Sequence, residues 1–458
     1  MEFLTKLTIV ILGVIAILIG YSQICQQDSP SVPLPIQWKY WGRGLPKEDD
    51  VTIHKYKVNV SDADLKDLKS RLANTRFGES LEEGTFQYGF QTTYLKEVVS
   101  YWKDKYEWRK QEAIINSIPQ FITKIQGLDI HFVHAKPKGN IKGKPLLIVH
   151  GWPGSVWEFQ KMIPMLTDPV AHGGKPEDAF EVIAPSIPGY GFSEAAHKKG
   201  FDQGDTMDIF RKLMLRLGFE KFYVQGGDWG SFVATFMAAN YPENVLGVHL
   251  NAFMASPIDK MAQTHLILGS IFPSLFFDEV DAEILLKNPS PLRLFQELGY
   301  FTLQATKPDT VGTALNDSPA GLAAYILEKF STWTKMEWID LPDGGLTKKF
   351  TLDELLTEIM IYWINGNIMP SQRYYKECFN SWDVLSLVQL PVTVPSGLAS
   401  FPHELILMPK AIASYKFKDI VQFTVMPDGG HFAAFEEPRL LAEDIRSFVQ
   451  KVEASKKT

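Results

Sequence analysis

Cysteine is almost missing from this chain: 458 residues contain two, Cys25 and Cys378, far apart. A disulfide framework and a cysteine-based zinc site are therefore excluded as organising features, and the composition suits a reducing, cytosol-facing compartment. Positive charge is not in surplus either. With 46 Lys and Arg against 53 Asp and Glu the net charge is -7, so the electrostatic footprint of a nucleic-acid binder is absent. There is no repeat of solenoid period, no low-complexity tract and no heptad run. His403-Glu404 lacks the second histidine of an H-E-x-x-H motif, and no metal is implied. The cluster Pro188-Gly189-Tyr190-Gly191 lacks the third glycine and the acidic partner of a dinucleotide fingerprint, so no nucleotide cofactor follows from it. Apolar material is plentiful: 45% of residues are hydrophobic and 12% aromatic, enough for one large domain with an insertion.

Leu7 to Tyr21 is an uncharged apolar run behind Lys6, near the lower length limit for a membrane-spanning helix. A cleaved signal peptide has a similar form, but no A-x-A site follows, and the expected reading is an uncleaved single-pass anchor. Lys6 before the run and Lys39 and Arg43 after it tilt the balance of nearby positive charge toward a cytosolic body. Sugar on Asn59 or Asn316, each in an N-x-S pattern, would reverse that orientation. Pro33 to Pro46 is too aromatic for a solvated linker and too broken for a helix, and is expected to pack along the body.

Further on, Ser61 to Arg71 reads as a helix capped by Ser61, and Tyr94 to Trp108 as another. Two strands, Phe121 to Ile125 and Ile130 to His134, flank a turn at Gly127-Leu128-Asp129. Strand, loop and helix then alternate, which argues for a mostly parallel sheet with helices on both faces. The further strands expected are Leu146 to Val149, Phe180 to Ala184, Phe222 to Gln225, Val245 to Leu250, Val392 to Pro395 and Val421 to Met426. Together these make an eight-stranded α/β sheet. Between Asn251 and about Trp382 the alternation gives way to helices, an insertion placed to roof the carboxyl ends of the strands, where open sheets bind their ligands. The expected division is 1–25 anchor, 26–120 meander and helical extension, 121–250 first part of the core, 251–382 lid, and 383–458 second part of the core. Within the lid, Leu266 to Phe277 is conspicuously apolar, which fits either lid core or a surface that touches a membrane.

Tyr223 to Ser231 runs from an apolar strand through a tight glycine turn into a helix. It reads as a nucleophile elbow of the G-x-S-x-G kind, with Gly226 and Gly230 in the small positions and Asp228 in place of Ser. A carboxylate there is nucleophilic without a base and forms an ester with the carbon it attacks; the plainer role for Asp228 is a helix cap. His431, in a glycine-flexed loop after the last strand, is the candidate general base. Glu404, after the preceding strand, is the candidate to orient it, with Asp383 and Asp428 as rivals. Chain order nucleophile, acid, histidine matches the same arrangement. His150-Gly151-Trp152-Pro153-Gly154 follows an early strand, so the backbone N–H groups of Trp152 and Trp229 are the expected oxyanion donors.

The H-G-W-P-G, G-G-D-W-G-S and G-G-H-F-A-A-F-E-E-P segments resemble the microsomal epoxide hydrolases, nearest their insect juvenile hormone branch. Ala314 to Pro319, the W-G-x-G of Trp41 to Gly44 and the apolar N-terminus extend the likeness to essentially the whole chain. The resemblance implies an α/β-hydrolase fold with a helical lid, no cofactor, and anchorage in the endoplasmic reticulum or microsomal membrane with a cytosolic catalytic domain. It implies that an apolar epoxide, juvenile hormone or a foreign lipophilic one, is converted with water to a vicinal diol through an aspartyl ester. It also implies two lid tyrosines on the epoxide oxygen, at positions matching Tyr300 and Tyr375. The family pattern has Phe before the second of these, whereas this chain has Tyr374, which leaves open which neighbour reaches the oxygen. Two alternatives stand beside this reading. One is a haloalkane dehalogenase, which shares the Asp elbow and His base but holds a halide with N–H donors. The other is a non-catalytic binder of a lipophilic hormone.

Overall fold

Runs such as Leu146-Leu147-Ile148-Val149 have no polar face to offer solvent, so they are stable only as strands covered on both sides. The computed structural model, which describes residues 39–456 apart from 140 and 256–258, builds one sheet from nine strands. They are β1 (His54–Tyr56), β2 (Gln120–Ile125), β3 (Leu128–Ala135), β4 (Lys144–Val149), β5 (Phe180–Pro185), β6 (Phe222–Gly226), β7 (Val245–Leu250), β8 (Ser396–Ser400) and β9 (Ile420–Val425). Their order is β1-β2-β3-β5-β4-β6-β7-β8-β9. The pairings from β1 to β5 along that order are antiparallel, and every pair beyond is parallel. One face carries helices Gln203–Arg216 and Asp228–Asn240; the other carries Met162–Thr167 and Pro438–Ser455. The expected anchor, Leu7 to Tyr21, lies outside the described residues.

The sheet has nine strands where eight were expected. The additional strand, β1, is a three-residue edge strand with the sequence His-Lys-Tyr, too short and too polar to show a period. The strand expected at Val392 to Pro395 lies further on, at β8. Val392 makes only an isolated bridge to Phe417, although its β-branched neighbours look more strand-like than Ser-Gly-Leu-Ala-Ser. The sheet interior selects for size instead: a side chain on Gly397 would meet the Phe448 ring at 2.6 Å and His249 at 3.1 Å. The turn between β2 and β3 is Gln126-Gly127, both with positive φ (54° and 81°), so Leu128 and Asp129 already belong to β3. The single helix expected over Tyr94 to Trp108 is two, Thr92–Asp104 and Trp108–Ile115. Ser61 caps Asp62–Ala73 as expected, accepting from Asp64 N–H at 3.1 Å.

Between β7 and β8 the chain is helical from Lys260–Ile271 to Trp382–Gln389, the last packing back on helices Gln203–Arg216 and Asp228–Asn240. The N-terminal extension braces this roof. Arg71 donates to the Asp317 carbonyl and to its carboxylate, both at 2.9 Å, and Tyr101 donates to Asp353 at 2.9 Å. Of the apolar run Leu266 to Phe277, Phe277 is buried against Gly269, whereas Ile271, Phe272 and Leu275 are exposed. Trp41 is buried and its backbone N–H donates to the Gln126 carbonyl at 2.8 Å, so of the Pro33 to Pro46 stretch Trp41 and Gly42 pack on the body, whereas Arg43 to Pro46 are exposed.

Gly397→Val is expected to overpack this sheet interior and to destabilise the protein by about 2 kcal/mol. The check is the urea unfolding midpoint, which should fall without loss of the native circular dichroism spectrum at zero denaturant.

Candidate active site

β6 delivers its last residues into a corner that ordinary side chains obstruct. A Cβ on Gly226 would lie 2.2 Å from the Gly230 carbonyl oxygen, and one on Gly230 would lie 2.0 Å from that of Val149. Between them Asp228 adopts φ +47°, a left-handed conformation that costs a non-glycine residue about 1–3 kcal/mol. The cap of helix Asp228–Asn240 is Gly227, and no side-chain capping bond is made there, which disposes of the plainer role for Asp228. Its carboxylate instead points away from the helix, and its side chain is 23% exposed among buried neighbours. The helix N-terminus beneath it favours the negative charge.

The loop after β4 reaches this carboxylate. Trp152 N–H donates to Asp228 Oδ1 at 2.7 Å, and the approach is so close that a Cβ on Gly151 would sit 2.2 Å from the same oxygen. Trp229 lies in the first turn of its helix, where backbone N–H groups have no intrahelical acceptor. From the loop after β9, His431 brings Nε2 to 3.4 Å from Asp228 Oδ2, without the geometry of a hydrogen bond. Its Nδ1 pairs with Glu404 Oε1 at 2.7 Å. The rivals are elsewhere: Asp428 pairs with Lys349 at 3.0 Å, and Asp383 is a surface residue beside Lys39. Burial pushes the His431 pKa down, but Glu404 and Asp228 outweigh it, so the imidazole is held well above its usual 6.5.

Two lid tyrosines close the space over Asp228. The Tyr300 ring stacks on the Trp152 indole at 5.4 Å and 4°, and the Tyr375 ring stands edge-on to the Trp229 indole at 4.6 Å. Burial, and then the Asp228 charge for Tyr300 or the Tyr300 phenol for Tyr375, raises both phenol pKa values, so both hydroxyls keep their protons. Tyr374 is turned away: its hydroxyl donates to Thr206 Oγ1 at 2.8 Å, on the sheet-side helix. Of the two neighbours, the Tyr375 phenol is the one that feels the Asp228 charge. Among the described residues no group of three or more His, Cys, Asp or Glu side chains is arranged to hold a metal ion.

A family model described as the epoxide hydrolase N terminus matches residues 53–159, and one for the alpha/beta hydrolase fold matches residues 144–438. Epoxide hydrolase 1 of Oryctolagus cuniculus is 51% identical over 92% of this chain and 94% of its own length. Juvenile hormone epoxide hydrolase 2 of Ctenocephalides felis is 47% identical over 95% of this chain and 94% of its own. The crystal structure of juvenile hormone epoxide hydrolase from the silkworm Bombyx mori aligns with a TM-score of 0.86 at 40% identity, covering 92% of this chain and 99% of that one. The chain belongs to the epoxide hydrolase family.

Two features of this epoxide hydrolase were not legible in its sequence. Glu436 accepts the backbone N–H groups on either side of His431, from Gly430 and Phe432, both at 2.8 Å. Its only trace is the Glu-Glu-Pro that ends the histidine loop. Burial pushes its carboxyl up to about 8 against the pull of those donors. The second feature is a cavity of about 20 Å³ beside Asp228 and His431, lined also by Glu158, Gln225 and Asn251.

Because the folded pKa of His431 is raised, its ion pair stabilises the protein below its unfolded value of about 6.5 and ceases to do so as pH rises through the folded value. Glu404→Gln is therefore expected to lower the titration midpoint of the His431 ring, followed by NMR. Its loss of unfolding free energy relative to wild type should be larger at about pH 6 than at alkaline pH.

Proposed function

We propose that this epoxide hydrolase opens apolar epoxides through a covalent ester on Asp228. The observation that carries the reading is the carboxylate itself: strained upward at the elbow, pinned through Oδ1 by Trp152 N–H, and facing both His431 and the tyrosine pair. Tyr300 and Tyr375 hold the epoxide oxygen, and one gives it a proton as Asp228 Oδ2 attacks a ring carbon. His431, oriented by Glu404, then takes a proton from water, which attacks Asp228 Cγ. The oxyanion forms on Oδ1 against the N–H groups of Trp152 and Trp229, and collapse releases the diol. Ester formation removes the Asp228 charge, one of the two that hold His431 protonated, so the imidazolium gives its proton back to the phenolate and becomes a base when there is an ester to hydrolyse. Juvenile hormone is the substrate this reading favours, as the names of the insect relatives suggest, and foreign lipophilic epoxides are the second class. A dehalogenase would need halide-binding N–H donors where this lid offers two phenols.

The apolar residues Leu7 to Tyr21 are proposed to anchor the chain in the endoplasmic reticulum membrane, with its body on the cytosolic side; among the described residues no helix is long and apolar enough to cross a membrane. Residues 22–38, at roughly 3.5 Å each, reach no further than about 60 Å. Lys39, where the described chain starts, pairs with Asp383 beside Trp382, which is 75% exposed. The lid also exposes Phe379, Phe295, Leu292, Phe272 and Leu275, the last 78% exposed. This surface is proposed to rest on the lipid that receives the anchor.

A single turnover of juvenile hormone in heavy-oxygen water should leave the label in Asp228 and none in the diol; label only in the diol would exclude the ester. His431→Gln should trap the ester as a stable mass adduct, because alkylation needs no base. For the membrane reading, a polarity-sensitive dye on Leu275→Cys, in a Cys25→Ser background, should shift to the blue when the full chain is reconstituted in phosphatidylcholine vesicles. The same dye on Glu177→Cys, at the far end of β5, should not.

A further inference from the structure

The 3-10 turn Val156–Phe159 places a carboxyl group where the mechanism above has no use for one. Glu158 is buried, and its side chain fills the space over Gly154 so closely that a Cβ there would fall 1.2 Å from Glu158 Oε1. It lines the 20 Å³ cavity together with Asp228, His431 and Asn251, a volume that holds about one water molecule. Burying an unpaired carboxylate costs several kcal/mol, and a group so placed becomes neutral instead. Burial lifts the Glu158 pKa to about 8, with His431 opposing and Asp228 adding to the rise. Behind it lies a second buried carboxyl, Glu358, which accepts from Ser155 Oγ at 3.0 Å. A site that needed only packing would be filled better by Leu or Met.

We propose that Glu158 is the second anchor of the hydrolytic water: its carbonyl oxygen accepts a hydrogen bond from one water O–H, while His431 Nε2 accepts from the other. This rests on the Asp228 ester proposed above. The water so held has a lone pair free to face Asp228 Cγ. As the new O–Cγ bond forms, the O–H bond toward His431 breaks, the proton passes to Nε2, and the carbonyl electron pair moves onto Oδ1. Collapse then breaks the bond from Cγ to the ester oxygen, formerly Asp228 Oδ2, which takes the proton from His431 and leaves in the diol; the second water proton, left on the regenerated Asp228 carboxyl, passes to His431 and restores the starting ion pair. Glu158 gains and loses no proton in the cycle. Because it is neutral it does not compete with the imidazole as a base. Its effect is confined to the second half of the reaction, since alkylation consumes no water.

The test separates the two halves by rapid quench and intact-protein mass on the full chain. In Glu158→Met the ester should form at the wild-type rate and hydrolyse roughly 10-fold to 100-fold more slowly, the size of effect expected from a misplaced reactant. Glu158→Gln keeps a neutral carbonyl acceptor and should hydrolyse within about threefold of wild type. Should Glu158→Met fail to fold, Glu158→Asp withdraws the carbonyl by one methylene and should show the same split. An ester released by the folded Met variant at the wild-type rate, or formation slowed as much as hydrolysis, would overturn this proposal alone. No adduct in any variant, His431→Gln included, would overturn the ester and this proposal with it.

Discussion

The hydrogen bond from Trp152 N–H to Asp228 Oδ1 is the contact on which the rest of the site depends. A left-handed backbone at Asp228 stores about 1–3 kcal/mol, and a hydrogen bond to a charged group returns about 1.5–3 kcal/mol, with the helix N-terminus adding to it. The two magnitudes are comparable, so the elbow is tolerable while the carboxylate stays pinned. Pinning requires the loop after β4 to touch the turn after β6, and the parallel pairing of those strands brings the two together. The three glycines at 151, 226 and 230 are what that approach leaves room for. None of them is free to gain a side chain without moving a backbone carbonyl or the carboxylate itself.

Charge around the site is governed by scarcity of cations. Asp228, Glu404, Glu158 and Glu436 surround one imidazole, with Glu358 behind Glu158, and burial moves Glu158, Glu358 and Glu436 toward the neutral form. His431 is then left facing two charges, one on each ring nitrogen, and this explains why its pKa rises although it is buried. The division is unequal in a useful way. The Glu404 contact is short and buried, and it persists through the proposed cycle. The Asp228 contact is longer and disappears when the carboxylate is esterified. A switch in basicity therefore needs no moving part, only the loss of one charge at the place where the next step is to occur.

What the sequence made legible were sharp backbone events. The elbow, the H-G-W-P-G turn and the histidine loop each force glycine or proline at fixed spacing, and such residues stand out in any string. Their chain order then told which residue would meet which. Buried carboxyls did not stand out: Glu158 and Glu436 sit in short helical turns where an acidic residue ordinarily reads as a solvated face. β1 was missed because three polar residues carry no period, and β8 was displaced because at Gly397 the space against Phe448 and His249 leaves no room for a side chain. Tyr374 and Tyr375 differ by one step on helix Ile368–Asn380, about 100° of rotation, and it took the partner at Thr206 to show that the Tyr374 hydroxyl is engaged elsewhere.

The two tryptophans couple nucleophile and lid without fusing them. Trp152 uses its backbone N–H on Asp228 and its indole face on Tyr300. Trp229 follows the nucleophile on the helix and sets its indole against Tyr375. An aromatic pair contributes about 0.5–1.5 kcal/mol beyond the area it buries, whereas the backbone clamp belongs to a nine-stranded sheet and cannot yield alone. The contacts between lid and sheet at these ring faces are therefore weaker than the clamp that keeps the strained carboxylate in position. The indoles are the surfaces against which the phenols rest, so the tyrosine pair proposed to hold the epoxide oxygen is registered against the carboxylate proposed to attack.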